Sequence, residues 1–225
     1  MAVNEEKYKA IIKELAGKAT LVAVSKTKPA ADILDLYHLG QRHFGENYVQ
    51  ELVDKQAQLP KDICWHFIGH LQSNKVKQLA PFVHLIHGVD SLKLLQEINK
   101  QAIKQNRVMD VLLQVYIAKE ETKFGLDKQE LDNLLDKNQL ASLSNICIKG
   151  LMGMASFTSD ITTIKAEFHY LASLFEQYVH SPIPNLQFQF LSMGMSSDYA
   201  IALEEGSTMI RIGSLLFGER PVVPK

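Results

Sequence analysis

The regular alternation of short apolar, β-rich segments with amphipathic stretches most constrains what this chain can fold into. Parallel βαβ units follow from such an alternation, and eight of them predict a single closed (β/α)8 barrel. An open doubly wound sheet is the alternative, but no GxGxxG motif follows the first strand. The eight predicted strands are 20–26, 42–46, 63–69, 83–89, 110–118, 146–154, 186–192 and 208–213. Between them, and after an N-terminal helix, helices are predicted at about 29–40, 47–58, 73–80, 91–106, 127–137, 160–180 and 197–205, followed by a C-terminal piece.

Composition narrows the classes of partner and the organisation of the chain. The 225 residues carry 24 Lys and Arg against 25 Asp and Glu, a net charge of −1, which disfavours nucleic acid as a partner. No linker rich in Pro, Gly or Ser divides the chain, so we expect one domain over 1–225. The N-terminus is not a secretory signal, and no stretch approaches the ~18 apolar residues of a membrane span. We therefore expect a cytoplasmic protein without membrane contact.

The histidines and cysteines do not predict a metal site. The two cysteines form no CxxC pair. His66 and His70 are spaced as helical zinc ligands are, but the residues from His66 to Gly69 belong to a predicted strand, and the glutamate of HExxH is missing. His84 and His87 are predicted to lie on opposite faces of their strand.

In a barrel of this kind the chemistry is carried by residues at the carboxyl ends of the strands. Core packing is the default interpretation of Glu46, Asn47 and His66, and polar lining of the barrel mouth is the alternative. The full set of strand-end candidates is Lys26, Glu46, Asn47, His70, Asp90, Lys123, Met154, Ala155, 192–196 and 211–214.

Lys26 ends the first predicted strand. Val22, Val24 and Lys26 share one face of that strand, and Ser25 lies on the other. Lys28 is close enough in sequence to lower the pKa of the Lys26 amine. An amine with a lowered pKa is what a Schiff base to an aldehyde requires, whereas a solvated strand end is the alternative interpretation.

Two neighbouring strand ends predict a phosphate site. In the segment 192–198, Gly194 lets the backbone approach a ligand and Ser196 offers a hydroxyl beside a helix N-terminus. Gly213 and Ser214 follow the last strand. The loops after strands seven and eight are the usual phosphate site of such barrels, so we expect a ligand that bears a phosphate group.

Arg211 interrupts an apolar strand, and arginine is almost never buried without a partner. An ion pair with an inward carboxylate and a contact to the ligand are the two alternatives.

Six motifs together resemble one known family, the pyridoxal 5′-phosphate homeostasis proteins. They occur in the family's order and span nearly the whole chain. The resemblance implies a single (β/α)8 barrel related to the N-terminal domain of alanine racemase, with pyridoxal 5′-phosphate bound covalently. The motifs are AVSKTKP (23–29), FGENYVQE (44–51), WHFIGHLQSNK (65–75), KGLMGMA (149–155), LSMGMSSD (191–198) and GSTMIRIGSLLFGER (206–220).

The resemblance also implies roles for individual residues. Lys26 matches the lysine that forms the internal aldimine, and Arg211 matches the arginine that faces the pyridine nitrogen. The phosphate cup matches Ser196, Gly213 and Ser214, Asn47 resembles a residue lining the pocket, and Lys28 and Lys123 resemble secondary lysines that take part in cofactor exchange.

By this resemblance we expect a binding protein that holds pyridoxal phosphate as a reversible Lys26 aldimine and exchanges or delivers it, with apo-enzymes as transient partners. An arginine on the pyridine nitrogen leaves that nitrogen unprotonated and weakens the electron sink. The 225 residues include no counterpart of the racemase domain that supplies a second base. The resemblance further suggests a monomer. The alternatives are a pyridoxal phosphate-dependent racemase or related enzyme, and a Schiff-base aldolase that acts on a sugar phosphate.

Overall fold

The computed structural model describes residues 3–118 and 124–218, so Lys123 lies outside the described residues. Eight parallel strands pair in chain order, and the last strand pairs with the first to close a barrel. The predicted (β/α)8 architecture is therefore confirmed. The strands are β1 (Thr20–Val24), β2 (His43–Glu46), β3 (Cys64–Phe67), β4 (Leu85–Val89), β5 (Met109–Gln114), β6 (Ile146–Met152), β7 (Leu186–Ser192) and β8 (Met209–Ile212).

Helices connect the strands in the predicted places, with one difference. The helix predicted over 127–137 is two short helices, because the Asp136 side chain accepts a hydrogen bond from the Asn138 backbone N–H and begins a new helix. A 3₁₀ turn, Ser73–Lys75, precedes the fourth helix. The α-helices are α1 (Glu5–Leu15), α2 (Ala30–His38), α3 (Val49–Gln58), α4 (Val76–Leu79), α5 (Leu92–Lys104), α6 (Lys128–Leu134), α7 (Lys137–Leu140), α8 (Ile161–Tyr178), α9 (Tyr199–Glu204) and α10 (Ser214–Phe217).

The first strand is shorter than the sequence pattern predicts. β1 ends at Val24, and Lys26 therefore stands in the loop beyond it. Thr27 follows with a φ of +64°, which no strand residue adopts. The apolar run ends with the strand at Val24, but the alternation of more and less buried side chains continues through Ser25 and Lys26, so alternation alone does not mark the strand end.

The alternation along β1 divides the core into two layers. Val22 points into the barrel, where it packs with Leu85, Leu112 and other apolar side chains. Ala23 points outward into the larger cluster between strands and helices. The predicted faces of β1 are therefore confirmed, and Val24 and Lys26 continue the inner face toward the carboxyl end of the barrel. Within the described ranges, no helix is long and apolar enough to cross a membrane.

Candidate functional site

A cavity of about 590 Å³ opens at the carboxyl ends of the strands. Its volume lies within the usual range for small-molecule sites. Seven of the residues singled out from the sequence for binding or exchange line it: Lys26, Lys28, Asn47, Ser196, Arg211, Gly213 and Ser214. The other lining residues are Val24, Ile68, Met154, Phe157, Met195, Ser197 and Gly218.

The loop that carries Lys26 has an unusual backbone conformation. Thr27, the next residue, has a φ of +64°, a region that β-branched residues rarely adopt. Its backbone N–H donates to Glu51 Oε1 at 2.6 Å, which holds the residue in that conformation. Such strain persists only where neighbouring groups fix it. The position of Lys26 is thus set by α3 as well as by β1.

A buried polar network lies directly behind this loop; we call it the Lys55 network, and it consists of Ser25, Glu46, Glu51 and Lys55. Lys55 Nζ donates to Glu46 Oε1 and Glu51 Oε1, both at 2.7 Å. It also donates to the Ser25 carbonyl oxygen at 2.8 Å, and Ser25 Oγ donates to Glu46 Oε1 at 2.7 Å. Burial raises the pKa of the Glu46 carboxyl, and the charge of Lys55 acts in the opposite direction. The network fixes the residue before Lys26.

Core packing, the default interpretation of Glu46, is therefore confirmed, and Glu46 does not line the barrel mouth. Its side chain faces α3, on the outer side of β2, where Lys55 meets it. The sequence carries a partial signal for this contact, because Glu51 and Lys55 are spaced i, i+4 on one helix face. What the sequence does not show is that α3 packs that face against β1 and β2.

Lys28 joins the first and last parts of the barrel. Its Nζ donates to the carbonyl oxygens of Phe217 at 2.7 Å and Gly218 at 3.3 Å. These carbonyls lie at the end of α10, where a positive charge is favourable. Lys28 thus has a structural role at the cavity wall.

Asn47 contributes a polar atom that the protein leaves unpaired. Asn47 Oδ1 is buried and has no hydrogen-bond partner among the described residues. Its backbone lies against Gly69, where an added Cβ would stand 2.3 Å from the Asn47 carbonyl oxygen. A buried acceptor without a partner is costly, so this atom marks a place where a ligand group can bind.

The loops after β7 and β8 meet at the opposite side of the cavity. The Gly213 backbone N–H donates to Ser196 Oγ at 3.4 Å, which joins the two loops. Asp198 Oδ1 accepts from the Met195 backbone N–H at 2.6 Å and so shapes the loop that carries Ser196. Ser214 is the first residue of α10. The predicted phosphate loops are thus adjacent in the fold.

Arg211 lies at the floor of the cavity and is only 4% exposed. Its guanidinium donates to Ser192 O at 2.8 Å, to Ser192 Oγ at 2.7 Å and to Gly153 O at 3.0 Å. These three bonds leave two of the five guanidinium N–H groups without a partner in the described part of the chain. Burial lowers its pKa to about 10, against the opposing charge of Asp198, so the group stays protonated at neutral pH. No described carboxylate accepts from it, which favours the ligand contact over the ion pair.

Three histidines continue from Arg211 through the barrel interior. His87 Nδ1 lies 3.1 Å from Ser192 Oγ, and His66 Nδ1 lies 2.8 Å from His87 Nε2. His43 Nδ1 lies 2.9 Å from His66 Nε2. Burial lowers the pKa of His66 and of His87 well below the usual value, so both rings are neutral. Core packing, the default interpretation of His66, is confirmed, because its ring is fully buried inside the barrel and does not line the mouth.

Two other strand-end candidates lie outside the cavity. His70 Nδ1 lies 3.3 Å from Asp90 Oδ2, and neither residue lines the cavity wall.

A second cavity of about 560 Å³ lies near the amino ends of β5, β6 and β7, and Lys137 is its single charged lining residue. None of the strand-end candidates lines it, so the first cavity is the candidate site.

Comparison with known proteins agrees with this geometry. Residues 5–221 match the family model of the alanine racemase N-terminal domain. A pyridoxal phosphate homeostasis protein from Pasteurella multocida is 42% identical over 205 residues, which cover 89% of this chain and 86% of the relative. The human pyridoxal phosphate homeostasis protein is 40% identical over 235 residues, covering 97% of this chain and 84% of the relative.

Solved structures show the same fold. PipY from Synechococcus elongatus, solved with pyridoxal phosphate bound, superimposes with a TM-score of 0.86 at 38% identity, covering 95% of this chain and 99% of that chain. Alanine racemase from Bartonella henselae superimposes with a TM-score of 0.69 at 18% identity, covering 96% of this chain and 60% of that chain, which is a likeness of fold alone. From its sequence, its barrel and these relatives together, the chain belongs to the family of pyridoxal phosphate homeostasis proteins.

Proposed function

We propose that this protein binds pyridoxal 5′-phosphate in the cavity at the carboxyl ends of the strands, with Lys26 as its reversible covalent anchor. The observation that carries the proposal is that one cavity presents a lysine, a buried arginine and the two loops joined by Ser196 and Gly213. A lysine amine suits the aldehyde of the cofactor. Hydroxyls and backbone N–H groups at Ser196, Gly213 and Ser214 suit its phosphate.

The polar groups that the protein leaves unpaired also fit this cofactor. Arg211 keeps two N–H groups for an acceptor in the cavity, as an unprotonated pyridine nitrogen requires. Asn47 presents its amide at the cavity wall with Oδ1 unpaired among the described residues. The family's name, and PipY with its bound pyridoxal phosphate, support the same assignment.

The protein acts as a reservoir of the cofactor rather than as a catalyst. Bound pyridoxal phosphate supplies an electron sink for carbanion chemistry when its pyridine nitrogen is protonated. Arg211 remains a protonated donor at neutral pH, so it leaves that nitrogen unprotonated. The ionisable residues among the described lining residues are Lys26, Lys28 and Arg211. Lys28 Nζ is bonded to the carbonyls of Phe217 and Gly218, so neither it nor Arg211 offers a second base.

A reservoir must also release what it holds. A covalent link between an amine and an aldehyde is opened by water or by a competing amine, so Lys26 can return the cofactor to solution or to another protein. Lys28 and Lys123 are the lysines we assign to that exchange. A cytoplasmic monomer that transfers the cofactor to apo-enzymes completes the proposal.

Binding is tested by absorption spectra of the purified protein with added pyridoxal phosphate. Wild type is expected to show the visible band of the covalently bound cofactor, and Lys26→Ala is expected to lose it. Lys28→Ala is the matched control, because Lys28 lines the same cavity and is expected to keep the band. No band in wild type, or a band that survives Lys26→Ala, would contradict the anchor.

The absence of strong catalysis is tested separately, in heavy water with a panel of amino acids. We expect deuterium incorporation at Cα no faster than with free pyridoxal phosphate. Saturable exchange well above that rate would instead favour an amino-acid racemase or a related enzyme, the function that the racemase-like family model suggests.

A further inference from the structure

Three histidines from neighbouring parts of the sheet come together at the amino end of the barrel, away from the cofactor cavity. They are His43 at the start of β2, His66 in β3, and His84 just before β4. One ring nitrogen from each lies within 4.8 Å of the other two. We propose that this three-histidine cluster (His43, His66 and His84) binds a divalent transition metal of the zinc class.

The sequence predicts no metal site, because the spacing of its histidines within each strand matches no metal-binding motif. In the barrel the three residues come from separate, adjacent strands, so their spacing along the chain is not that of a sequence motif. His43 pairs with Cys64 in register, which places His66 one inward-facing position farther along β3. Strand order therefore assembles the cluster.

The spacing of the nitrogens suits a tetrahedral ion. Zinc–nitrogen bonds of about 2.0–2.1 Å place two ligating nitrogens roughly 3.3 Å apart. His43 Nδ1 and His66 Nε2 are 2.9 Å apart, and no pair in the cluster exceeds 4.8 Å. The ring centroid of His84 lies 5.7 Å from that of His43 and 5.3 Å from that of His66. The proposal requires the rings to rotate until the three nitrogens are about 3.3 Å apart, from separations that are already within 4.8 Å.

The buried ligand is already oriented by a second residue. A ligating histidine usually bonds through its other ring nitrogen to a group that fixes its orientation. His66 Nδ1 lies 2.8 Å from His87 Nε2, and His87 Nδ1 lies 3.1 Å from Ser192 Oγ. His66 Nε2 is thereby directed at the cluster.

The cluster is open to solvent on one side, which gives a metal a route in and leaves a coordination position for water. His84 is exposed and His43 is half-buried. Asp110 and Arg107 carry opposite charges, and both interact electrostatically with His84. Arg107 donates to the carbonyls of Ala80 and Val83, at 2.6 and 2.8 Å, so its guanidinium is engaged with the backbone.

Metal binding must change the hydrogen bonding inside the barrel. Arg211 can only donate, so Ser192 Oγ accepts from it and its own proton goes to His87 Nδ1. His87 Nε2–H then donates to His66 Nδ1, and His66 Nε2–H donates to His43 Nδ1. A metal on His66 Nε2 displaces that proton, and the neutral ring then carries its proton on Nδ1, where it donates to His87 Nε2. The His87 proton accordingly moves to Nδ1 and donates to Ser192 Oγ, whose hydroxyl proton turns away from His87. The proposal thus predicts a change of tautomer at both His66 and His87.

The test uses protein without an affinity tag, freed of metal by a chelator and then desalted. Zinc is titrated by calorimetry and cobalt by visible absorption, and one equivalent is expected to bind. His84→Ala and His43→Gln are expected to weaken binding by at least about tenfold. Two control variants test for adventitious sites, and both are expected to bind metal as wild type does. They are His180→Ala, which replaces an exposed histidine outside the cluster, and Cys64→Ser.

Nitrogen-15 spectra of the histidines supply a second readout that a general loss of stability would not produce. On adding zinc, the proton of the His66 ring is expected to move from Nε2 to Nδ1. The proposal is overturned if wild type binds no stoichiometric metal, if His84→Ala binds as tightly as wild type, or if a control variant loses binding to the same extent. It is also overturned if metal binds while the His66 resonances stay unchanged.

Discussion

At the scale of single residues, Arg211 and Asn47 differ in how far the protein satisfies their hydrogen bonding. Three bonds from Arg211 go to Ser192 and Gly153, which fix the plane of its guanidinium beneath the cavity. Asn47 is held by its backbone against Gly69, while its side-chain oxygen is left without a described partner. The cavity is therefore prepared for a polar ligand before any ligand is present.

Replacing Asn47 by Ala is expected to change stability and binding in opposite directions. It removes a buried acceptor that is unpaired in the described protein, so the ligand-free protein should be as stable as wild type or up to about 1 kcal/mol more stable. Pyridoxal phosphate should bind more weakly. Urea unfolding and cofactor titration measure the two effects. Asn133→Ala, on the exposed face of α6, is the control and should leave binding unchanged; a large loss of stability in Asn47→Ala would contradict the assignment.

At the scale of secondary-structure elements, α3 fixes the β1–α2 loop through the Lys55 network. Lys55→Met leaves Glu46 and Glu51 close together without their shared cation. Breaking a buried ion pair in this way costs about 3–5 kcal/mol, which urea unfolding would show directly. The double variant Lys55→Met/Glu46→Gln should recover part of the loss, because it removes the stranded buried charge. Equal stability of the single and double variants would contradict this account of the network.

Two glycines, Gly194 and Gly206, share a strained backbone conformation, but side-chain space is restricted only at Gly194. Comparing alanine at the two positions therefore separates the effect of close packing from that of backbone strain. Gly194 and Gly206 have φ values of +93° and +91°, so alanine is strained at both. At Gly194 an added Cβ would also lie 2.6 Å from the Ala202 Cβ, whereas at Gly206 nothing lies within 4 Å. Gly194→Ala should therefore cost roughly 1–3 kcal/mol more than Gly206→Ala, and it alone should weaken cofactor binding by displacing Ser196. Similar losses of stability and of binding in both variants would contradict this.

At the scale of the whole molecule, the barrel and much of its cavity are predictable from the sequence. Alternating segments predict the eight strands, and the rule that barrel chemistry lies at strand carboxyl ends predicts Lys26 and Arg211. It is not predictable in this way that the Glu46 side chain lies outside the barrel against α3, or that the His66 ring lies inside the barrel against His87. Both depend on which side chains meet across adjacent elements, and a single sequence does not show those contacts.

The interior histidines predict how the metal-free protein responds to acid. Burial lowers the pKa of His66 and of His87 below the ordinary value of 6.5. Below pH 6.5 the unfolded chain therefore binds protons that the folded chain does not, and stability falls as the pH falls. Each group contributes at most about 1.4 kcal/mol per pH unit.

His87→Gln tests this dependence by urea unfolding between pH 7 and 5 in the presence of a chelator. The loss of stability over that interval should be smaller in the variant by the contribution of one histidine, whereas His180→Gln should follow wild type. Identical pH dependence in wild type and His87→Gln would contradict the buried, neutral state of that ring.

The measurement that tests the central claim most directly is the position of the covalent link. The protein is incubated with pyridoxal phosphate, reduced with borohydride, digested and analysed by mass spectrometry. We expect one reduced adduct, on the peptide that contains Lys26, with fragment ions that distinguish Lys26 from Lys28. An adduct on Lys28 alone, labelling spread over surface lysines, or no adduct at all would contradict the account.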